Sequence, residues 1–376
     1  MRYLLLFAFV VSTAIFAGVL PAATTGASGD GHHGDNGNRE IVVMTRNLFV
    51  GTDYESIMSL PTPPTTFQVL TAVETSWQQV LASRFSERAE ALADEVAEAQ
   101  PDIIGLQEVS LIRTVVQVTG LPGPRLDYLD ILLSALGTRG LHYAPVAAVD
   151  DFDVTMPTLP AAYAGSGLYV HITDREVLLA RTDLSVADLQ VTASSGSRYA
   201  AHTTLLGTIS LYRGWVSVDV KVRGKNMRVV STHLEPYDPA IQLAQAQELI
   251  AGPGATKLPL VLIGDFNSGA PGSTTSLTPT YAYLAGLPLD DAWATLHPAT
   301  AGLTCCQDVN LGNATSRVTS RIDLVLSRGF RAKQAYLVGD QPDDRTAAGL
   351  WPSDHAGVVA ALALAKLDRE RGEDGG

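Results

Sequence analysis

Short runs of apolar residues recur along the chain, each bounded by polar or glycine-containing segments. Residues 41–45, 102–106, 258–263, 321–326 and 358–364 are dominated by Val, Ile and Leu. Apolar runs of this length without alternation are typical of strands that are buried on both faces. We therefore expect strands at these positions, with the folded domain beginning at the first and closing at the last.

The pattern becomes helical after a polar, proline-rich loop at residues 61–64. Apolar side chains then fall on one face of a helix at Phe85, Ala89, Leu92 and Val96. This helix should end before Gln100-Pro101, because a proline disfavours helical backbone at the residue that precedes it. Its apolar face is assigned to the core.

A β-hairpin is predicted in the middle of the chain. Residues 215–222 alternate between apolar and polar side chains, and a turn at Gly224-Lys225-Asn226 leads into residues 227–233. Alternation with a period of two indicates that one face of the hairpin is exposed to water.

Two further strands and one helix complete the predicted elements. The strands lie at residues 143–149 and 167–180, and the helix lies at residues 241–250. The segment 151–164 contains Pro and Ala residues, and we expect it to form an inserted loop.

The two ends of the chain have compositions unlike the rest. The chain has a charged start, then the apolar run 4–20, then small residues at 21–23. This pattern predicts a signal peptide over residues 1–23 and therefore a secreted or extracytoplasmic protein. An uncleaved membrane anchor is the alternative. Residues 24–39 predict a flexible linker, and residues 367–376 predict a charged, disordered tail. One domain is expected over residues 40–366, without a membrane-spanning segment, in a monomeric protein.

Composition and charge exclude few classes of function. With 46% apolar and 17% charged residues, the 376-residue chain can bury a large core. Its net charge of −13 argues against a broad basic surface for non-specific nucleic-acid binding. A nuclease is not excluded, because a metal site built from carboxylates is itself acidic.

The two cysteines of the sequence are adjacent, at Cys305 and Cys306. Adjacent cysteines do not form a disulfide framework, which needs separated partners. Two states remain open for this pair: a vicinal disulfide in an oxidising compartment, or two reduced thiols that pack as small apolar groups.

Six short segments place polar residues of metal-binding or proton-transfer type at the ends of apolar strands. They are Arg46-Asn47, Gln107-Glu108, Thr232-His233, Gly264-Asp265-Phe266-Asn267, Ile322-Asp323 and Ser353-Asp354-His355. Each segment alone is compatible with a capped turn, because Asp and Asn side chains satisfy nearby backbone donors. Their combination and order carry the functional prediction.

In that combination the segments resemble the endonuclease/exonuclease/phosphatase superfamily, in the form of a bacterial-type secreted member. The resemblance extends over residues 41–359 and is weak over residues 111–213. It implies an α/β (α+β) fold of the DNase I-like type, a four-layer sandwich of two mixed β-sheets flanked by helices. It also implies a hydrolase of phosphate esters that depends on a divalent metal, and it favours a phosphodiesterase among these.

The resemblance assigns the metal to three residues. Glu108 is the principal ligand, Asn47 lies close to the metal, and Asp354 is a candidate for a further contact. Hard Mg²⁺ suits carboxylate and amide oxygens, and Mn²⁺ is the alternative.

The resemblance also assigns the two histidines. His355 is expected to act as a general base or to polarise the phosphate, held by Asp323, since a carboxylate partner fixes the tautomer of a histidine. His233 is expected to bind the phosphate from the other side. Asp174 or Glu176 is the candidate for a carboxylate behind His233.

Asp265 and Asn267 are expected to face one ligand, because strand alternation would point both the same way and send Phe266 into the core. By resemblance, Asp265 orients or deprotonates the attacking water and Asn267 donates to the phosphate. Whether Asp265 or His355 is the base stays open, and the two are treated as a coupled set.

Several functions share this chemistry. The substrate could be a nucleic acid, a phospholipid such as sphingomyelin, or a small phosphorylated compound. Val109-Ser110-Leu111 follows Glu108 where several nucleases of the superfamily carry a basic residue, which slightly lowers the weight of a nuclease. A non-catalytic binding protein is a remoter alternative, because every chemical position is occupied by a competent residue. A serine hydrolase is disfavoured, since the sequence contains no Gly-x-Ser-x-Gly.

Overall fold

Two β-sheets packed face to face form the centre of the computed structural model, which describes residues 40–365. Helices cover the outer face of each sheet. This four-layer α/β architecture confirms the fold class expected from the sequence. The predicted signal peptide (1–23), linker (24–39) and tail (367–376) lie outside the described residues.

The described residues form sixteen strands and seven α-helices. The strands are β1 (Glu40–Asn47), β2 (Ile103–Gln107), β3 (Leu111–Val116), β4 (Pro122–Asp127), β5 (Tyr143–Pro157), β6 (Leu168–Arg181), β7 (Leu189–Arg198), β8 (Thr203–Leu205), β9 (Ile209–Leu211), β10 (Gly214–Val222), β11 (Lys225–His233), β12 (Leu260–Asp265), β13 (Asp290–Asp291), β14 (Asp323–Arg328), β15 (Phe330–Val338) and β16 (Gly357–Leu364). The helices are α1 (Glu55–Met58), α2 (Thr66–Ala82), α3 (Phe85–Ala99), α4 (Tyr128–Thr138), α5 (Pro239–Ala251), α6 (Pro279–Ala285) and α7 (Ala292–Leu296).

Each of the two large sheets contains one parallel pair of strands among antiparallel neighbours. The first sheet has the order β15-β16-β1-β2-β6-β3-β4, with β5 also paired to β6, and its parallel pair is β1 and β2. The second sheet has the order β13-β14-β12-β11-β10-β7, and its parallel pair is β11 and β12. Because parallel strands end at the same edge, each pair brings two strand ends together.

The core between the sheets consists mainly of branched apolar side chains from both. Its members include Ile41, Val43, Ile103, Val218, Val229, Val261 and Val325. Gly105 of β2 permits a close approach of the sheets, since a Cβ there would lie 2.6 Å from Ser231 Oγ of β11. Gln107 Nε2 donates to the same Ser231 Oγ at 3.0 Å, so a polar contact links the two sheets where the apolar core ends.

The outer layers consist of α3 and α4 on the first sheet and of α5 and α6 on the second. α3 buries the predicted face, Phe85, Ala89, Leu92 and Val96, and ends before Pro101 as expected. The sequence predicted one helix in this region, whereas the structure has α2 as well, because Arg84 takes a left-handed φ of 51° and separates the two. Within residues 40–365, no helix has both the length and the apolar character needed to cross a membrane.

The predicted loop at residues 151–164 is wrong over its first half. β5 continues to Pro157 and is paired with β6 along its length. Register shifts near Pro145 and Asp150 absorb the residues that would interrupt a regular strand. Pro145 therefore does not end the strand, and residues up to Pro157 belong to the first sheet.

The hairpin of β10 and β11 confirms the predicted pairing and turn. Its expected exposed face is wrong for β11, because Met227 and Val229 pack between the sheets while Val230 packs beneath the α5 and α6 layer. The strand is buried on both sides, which carries His233 at its end into the interior.

A buried ion pair joins β1 to the helix layer. Arg46 is 1% exposed and Glu95 of α3 is 6% exposed, and the two side chains form a two-pronged contact at 2.8 Å for each pair of atoms. Burial raises the pKa of Glu95, while Arg46 opposes that effect. Arg46 Nη1 also donates to the main-chain oxygen of His355. The pair therefore fixes backbone that carries one of the candidate catalytic residues.

Replacing Arg46 alone should destabilise the protein strongly. Arg46→Met leaves the Glu95 carboxylate buried without a partner, and we expect the free energy of unfolding to fall by about 3–5 kcal/mol. Arg46→Met/Glu95→Leu removes both charges and should recover much of this loss. Urea unfolding monitored by circular dichroism measures both; equal losses in the single and double variants would show that the unpaired charge is not the cause.

Candidate active site

Strand register places polar residues from both sheets opposite one another at one edge. In the first sheet, Asn47 of β1 lies beside Gln107 of β2. In the second sheet, Asp265 of β12 lies between His233 of β11 and Asp323 of β14. Five strand ends predicted to carry chemistry are thus brought to one place, and the loop residues Glu108, Asp354 and His355 join them.

Glu108 follows β2 with a left-handed backbone, at φ 56°. A non-glycine residue in this region is held there by its surroundings. Its Oε2 accepts from Val50 N at 2.8 Å and its Oε1 accepts from Asn47 Nδ2 at 3.0 Å. The carboxylate therefore has a fixed orientation towards the end of β1.

Asn47 connects the carboxylates of the two sheets. Its Nδ2 lies 3.0 Å from Glu108 Oε1 and 3.2 Å from Asp265 Oδ2, and its Oδ1 accepts from Phe49 N at 2.9 Å. The amide thus offers a donor to both carboxylates and directs its oxygen to the backbone. Its predicted contact with a metal remains a prediction.

Asp265 Oδ2 lies between the two histidines. It is 3.5 Å from His233 Nε2 and 3.8 Å from His355 Nε2. Burial raises the pKa of Asp265 to about 7; the charge of His355 opposes this rise and Asp323 adds to it. The carboxyl can therefore accept and release a proton near neutral pH.

His355 is held by Asp323, as the sequence predicted. Its Nδ1 lies 2.8 Å from Asp323 Oδ2, and the main-chain N of Asp323 donates to Thr304 Oγ1. Burial alone would lower the pKa of His355, but Asp323, Asp354 and Asp265 outweigh it and raise that pKa well above its ordinary value. Of the two roles left open for His355, this environment favours a protonated side chain that donates to a phosphate.

His233 has the opposite electrostatic environment. Its Nδ1 lies 3.1 Å from Arg213 Nη1, and because a guanidinium can only donate, this nitrogen accepts. The ring proton is then on Nε2, facing Asp265. Burial, Arg213 and His355 together lower the pKa of His233 well below its ordinary value, so the ring is neutral.

Of the two carboxylates predicted behind His233, Glu176 lies beside it and Asp174 does not. Glu176 Oε1 is 3.5 Å from His233 Nδ1, whereas Asp174 accepts from Ser110 Oγ at 3.0 Å and lies 3.8 Å from Arg213 Nη1. Burial raises the pKa of Asp174 to about 7, with Glu108 adding to the rise.

Arg213 is a residue of the site that sequence reasoning missed. It lies within a buried group of carboxyls that includes Asp174, Glu176 and Asp151 of β5. Oxygens of Asp151 and Glu176 and a nitrogen of His233 lie within 4.8 Å of one another, a spacing that could hold a cation. Arg213 already supplies a positive charge beside this group, and burial raises the pKa of Asp151 and Glu176 well above ordinary values, which favours protonated carboxyls. We therefore assign Arg213, Asp151 and Glu176 a positioning role, in which they hold the ring of His233 in place.

Asn267 is not positioned by strand alternation. β12 ends at Asp265, and Asn267 takes a left-handed φ of 50° in a turn where its main-chain N donates to Asp265 Oδ1 at 2.9 Å. The expected burial of Phe266 is confirmed. Asn267 Nδ2 donates to Leu234 O at 2.9 Å, so the amide is held beside the end of β11, and its donation to a phosphate stays a prediction.

Asp354 lies on the other side of the site, with Oδ1 4.0 Å from His355 Nε2. Burial raises the pKa of Asp354 to about 6; His355 opposes that rise and Glu108 adds to it. The effect of Glu108 on the pKa of Asp354 indicates two carboxylates converging on one region. Ser353 Oγ donates to Asn47 O at 2.8 Å and connects this loop to the end of β1.

Arg88 of α3 holds the loops around Glu108 and Asp354. Although it is fully buried, its Nη1 donates to Leu48 O and Pro352 O, its Nη2 to Phe49 O, and its Nε to Ser83 O, at distances of 2.7–3.0 Å. Burial lowers the pKa of Arg88. The sequence signal that could have revealed this role was an arginine on the side of the predicted helix that faces the core.

Of the two states left open for the cysteines, the structure has the disulfide between Cys305 and Cys306. Cys305 is buried and Cys306 is exposed. Cys306 Sγ lies 4.0 Å from His355 Nε2, so the disulfide lies beside the ring of His355.

The donor set of the site fits a hard divalent cation. Asp265 and Asp323 place carboxylate oxygens within 4.8 Å of each other, and Asp323 Oδ1 is buried without a hydrogen-bond partner among the described residues. The raised pKa values of Asp265 and Asp354 reflect burial among like charges, which a divalent cation would relieve. Carboxylate oxygens are the ligands that Mg²⁺ prefers in proteins.

Comparison with known proteins agrees with this geometry. The model of the Endonuclease/Exonuclease/phosphatase family matches residues 79–355. A family protein from Bacteroides thetaiotaomicron has a solved structure with a TM-score of 0.54 and 17% identity, covering 87% of this chain and 99% of that one. A mannosyl-6-phosphatase from the same organism has a TM-score of 0.52 and 16% identity, covering 86% and 99%. A family protein from Beutenbergia cavernae has a TM-score of 0.51 and 21% identity, covering 87% and 72%.

At these identities the likeness to solved structures concerns the fold, and no curated protein matches the sequence. The family match itself spans most of the chain and includes Glu108, both histidines, Asp265 and Asp323. Members of this family are generally phosphoesterases or other hydrolases that use divalent metals. The chain belongs to the Endonuclease/Exonuclease/phosphatase family.

Proposed function

We propose that this protein is a divalent-metal-dependent phosphodiesterase. The observation that carries the proposal is the placement of His233 and His355 on either side of Asp265, at 3.5 Å and 3.8 Å from its Oδ2, next to the carboxylate of Glu108. The surroundings lower the pKa of His233 and raise the pKa of His355. A neutral and a protonated histidine at one anionic site supply the proton donor and the neutral hydrogen-bonding group that hydrolysis of a phosphate ester needs.

Each residue has a separate task in this proposal. Protonated His355, held by Asp323, donates to the phosphate or to the leaving oxygen. Asp265 orients the attacking water and takes its proton, because a carboxyl with a pKa of about 7 is suited to proton transfer. Neutral His233 donates a hydrogen bond from Nε2 to the phosphate from the opposite side.

Glu108 is the proposed principal metal ligand, with Asp354 as a further one. A bound Mg²⁺ or Mn²⁺ would neutralise charge on the phosphate oxygens. Without a cation, the negatively charged carboxylates of Glu108 and Asp354 would repel an anionic substrate. The proposed site would therefore need a bound divalent cation before the substrate binds.

A diester is favoured over a monoester by the charges around the site. A phosphodiester carries one negative charge, whereas a monoester carries nearly two at neutral pH. Arg213, whose Nη1 lies 3.1 Å from His233 Nδ1, is already surrounded by carboxyls. It therefore has little positive charge left to offset the second negative charge of a monoester. A small-molecule phosphatase is the second candidate, since one structural neighbour is described as a mannosyl-6-phosphatase.

We further propose that the enzyme is exported and acts as a monomer outside the cytoplasm. The support is the charged and apolar pattern of residues 1–23 in the sequence. The vicinal disulfide beside His355 is compatible with an oxidising compartment.

Glu108→Gln should abolish metal-dependent hydrolysis. It removes the charge of the proposed metal ligand at nearly constant shape, and we expect kcat/KM to fall at least about a hundredfold. The assay measures release of p-nitrophenol from bis-p-nitrophenyl phosphate and from p-nitrophenyl phosphate, each with Mg²⁺, with Mn²⁺ and with a chelator. Glu98→Gln, at an exposed position of α3, is the matched control and should keep full activity.

Chelator-sensitive cleavage that is faster for the diester supports the proposed function. Faster cleavage of the monoester would favour the phosphatase candidate. No cleavage of either ester, or of plasmid DNA and sphingomyelin, would contradict a phosphoesterase.

Asp323→Asn should lower activity and change its pH dependence. Asp323 raises the pKa of His355, so its removal lowers that pKa, and a histidine that must be protonated then loses its proton at lower pH. We expect kcat to fall by about 10²–10⁴-fold and the alkaline limb of the pH profile to move to lower pH. Asp219→Asn, which affects a surface pair with Arg228, is the control.

The fold should survive this substitution, as monitored by circular dichroism. An alkaline limb that stays in place in Asp323→Asn would rule out protonated His355 as the group that titrates there.

A further inference from the structure

An apolar pocket lies beside the phosphate site, between α1 and α2 on one side and β5 and β6 on the other. Its volume is about 90 Å³. The walls include Ile57, Val73, Val80, Ile112, Val154, Met156, Ile172 and Leu211. Several of these residues form a small hydrophobic cluster with Leu205 that is separate from the three main core clusters.

The pocket reaches the catalytic residues through two shared elements. Arg213 lines the pocket and also contacts His233 Nδ1 at 3.1 Å. Thr52 and Tyr54 line it as well, and they follow Val50, whose main-chain N holds Glu108 Oε2 at 2.8 Å. A ligand with its phosphate between Glu108 and His233 could therefore extend directly into the pocket.

Tyr54 marks the boundary between the polar and apolar regions. Its hydroxyl is buried and has no hydrogen-bond partner among the described residues. Burial raises the pKa of Tyr54 well above its ordinary value, and Asp174 and Glu108 add to that rise, so the group remains a hydrogen-bond donor. A buried donor without a partner is costly unless a ligand oxygen satisfies it.

The wall chemistry selects the part of a substrate that can enter. The walls are mainly apolar, with Thr52, Tyr54, Ser76, Arg213, Glu235 and Tyr237 as the polar lining residues. A nucleobase or a sugar would bury several polar groups against the apolar part, which costs more than the apolar contact returns. An alkyl chain has no such groups. A cavity of about 150 Å³ holds benzene, so the present pocket has room for on the order of four carbon atoms.

We infer that the pocket binds an alkyl substituent on one ester oxygen of the substrate, so that the enzyme acts on alkyl phosphodiesters. This inference rests on the proposed phosphodiesterase function and names the class of its substrate. The phosphate lies at the catalytic edge, an ester oxygen lies near Tyr54, and the chain enters between α2 and β5. A phospholipid headgroup linkage and a free short-chain alkyl phosphodiester share this chemistry.

The inference is tested with p-nitrophenyl alkyl phosphates that differ only in the alkyl group, from methyl to hexyl, with thymidine 5′-p-nitrophenyl phosphate as the polar comparison. Each methylene buried in an apolar site contributes about fourfold to kcat/KM. We expect butyl to exceed methyl by on the order of tenfold to sixtyfold, with little further gain at hexyl. The thymidine ester should be cleaved more slowly than the butyl ester.

Met156→Trp, which fills the pocket from β5, should bring the butyl-to-methyl ratio close to one. Val118→Trp introduces the same side chain at an exposed apolar position outside the pocket and should keep the wild-type ratio. The chain-length series of the wild-type enzyme tests the inference even if Met156→Trp fails to fold. Phosphatidylcholine vesicles and short-chain diesters below their micelle concentration then distinguish a lipid source from a free one.

The outcomes separate the two proposals. Cleavage of every diester at one rate, or fastest cleavage of the thymidine ester, overturns the alkyl pocket and leaves the phosphodiesterase standing. A length-dependent ratio that Met156→Trp leaves unchanged also overturns the assignment of the chain to this pocket. No cleavage of any diester with Mg²⁺ or Mn²⁺ overturns the phosphodiesterase and the alkyl pocket with it.

Discussion

The concentration of buried carboxyl groups at one edge of two packed sheets is the constraint on which the rest of the structure depends. Like charges in a poorly solvated region repel one another and favour protonation, as the raised pKa values of Asp174, Asp265 and Asp354 indicate. The fold offsets this with cations brought from distant segments. Arg213 lies among one group of carboxyls and His355 among the other, and a divalent ion supplies the remaining charge in the proposed function.

The same charge distribution makes two chemically identical side chains different. His355 is surrounded by carboxylates and is protonated, whereas His233 faces a guanidinium and is neutral. Sheet register places His233 of β11 and Asp323 of β14 on either side of Asp265 of β12, and Asp323 in turn holds His355 from the loop before β16. In the proposed function, a site that donates and accepts protons follows from this arrangement, and the residues behind each ring set its chemistry.

Much of the site could be predicted because apolar strands that end in Asp, Glu, Asn or His identify a sheet edge without knowledge of the contacts. The pairing of Asp323 with His355 was predicted from the resemblance to the superfamily, and the burial of Phe266 from strand alternation. The roles of Arg88 and Arg213 were not, since each depends on contacts between segments far apart in sequence. The second half of β5 was missed because two bulges allow a strand to continue through residues that usually end one. The turn at Asn267 depends on a side-chain contact with Asp265 that alternation does not anticipate.

Arg88 has a consequence for how this scaffold can diversify. One guanidinium is hydrogen-bonded to carbonyl groups after β1, between α2 and α3, and before Asp354. The lengths of these three connections are therefore constrained jointly. An insertion in any of them would move a carbonyl away from Arg88, and water cannot replace that hydrogen bond because the side chain is buried. Evolutionary change in substrate preference is thereby directed to segments free of this constraint, such as β8 and β9, which pair with each other in a small sheet of their own.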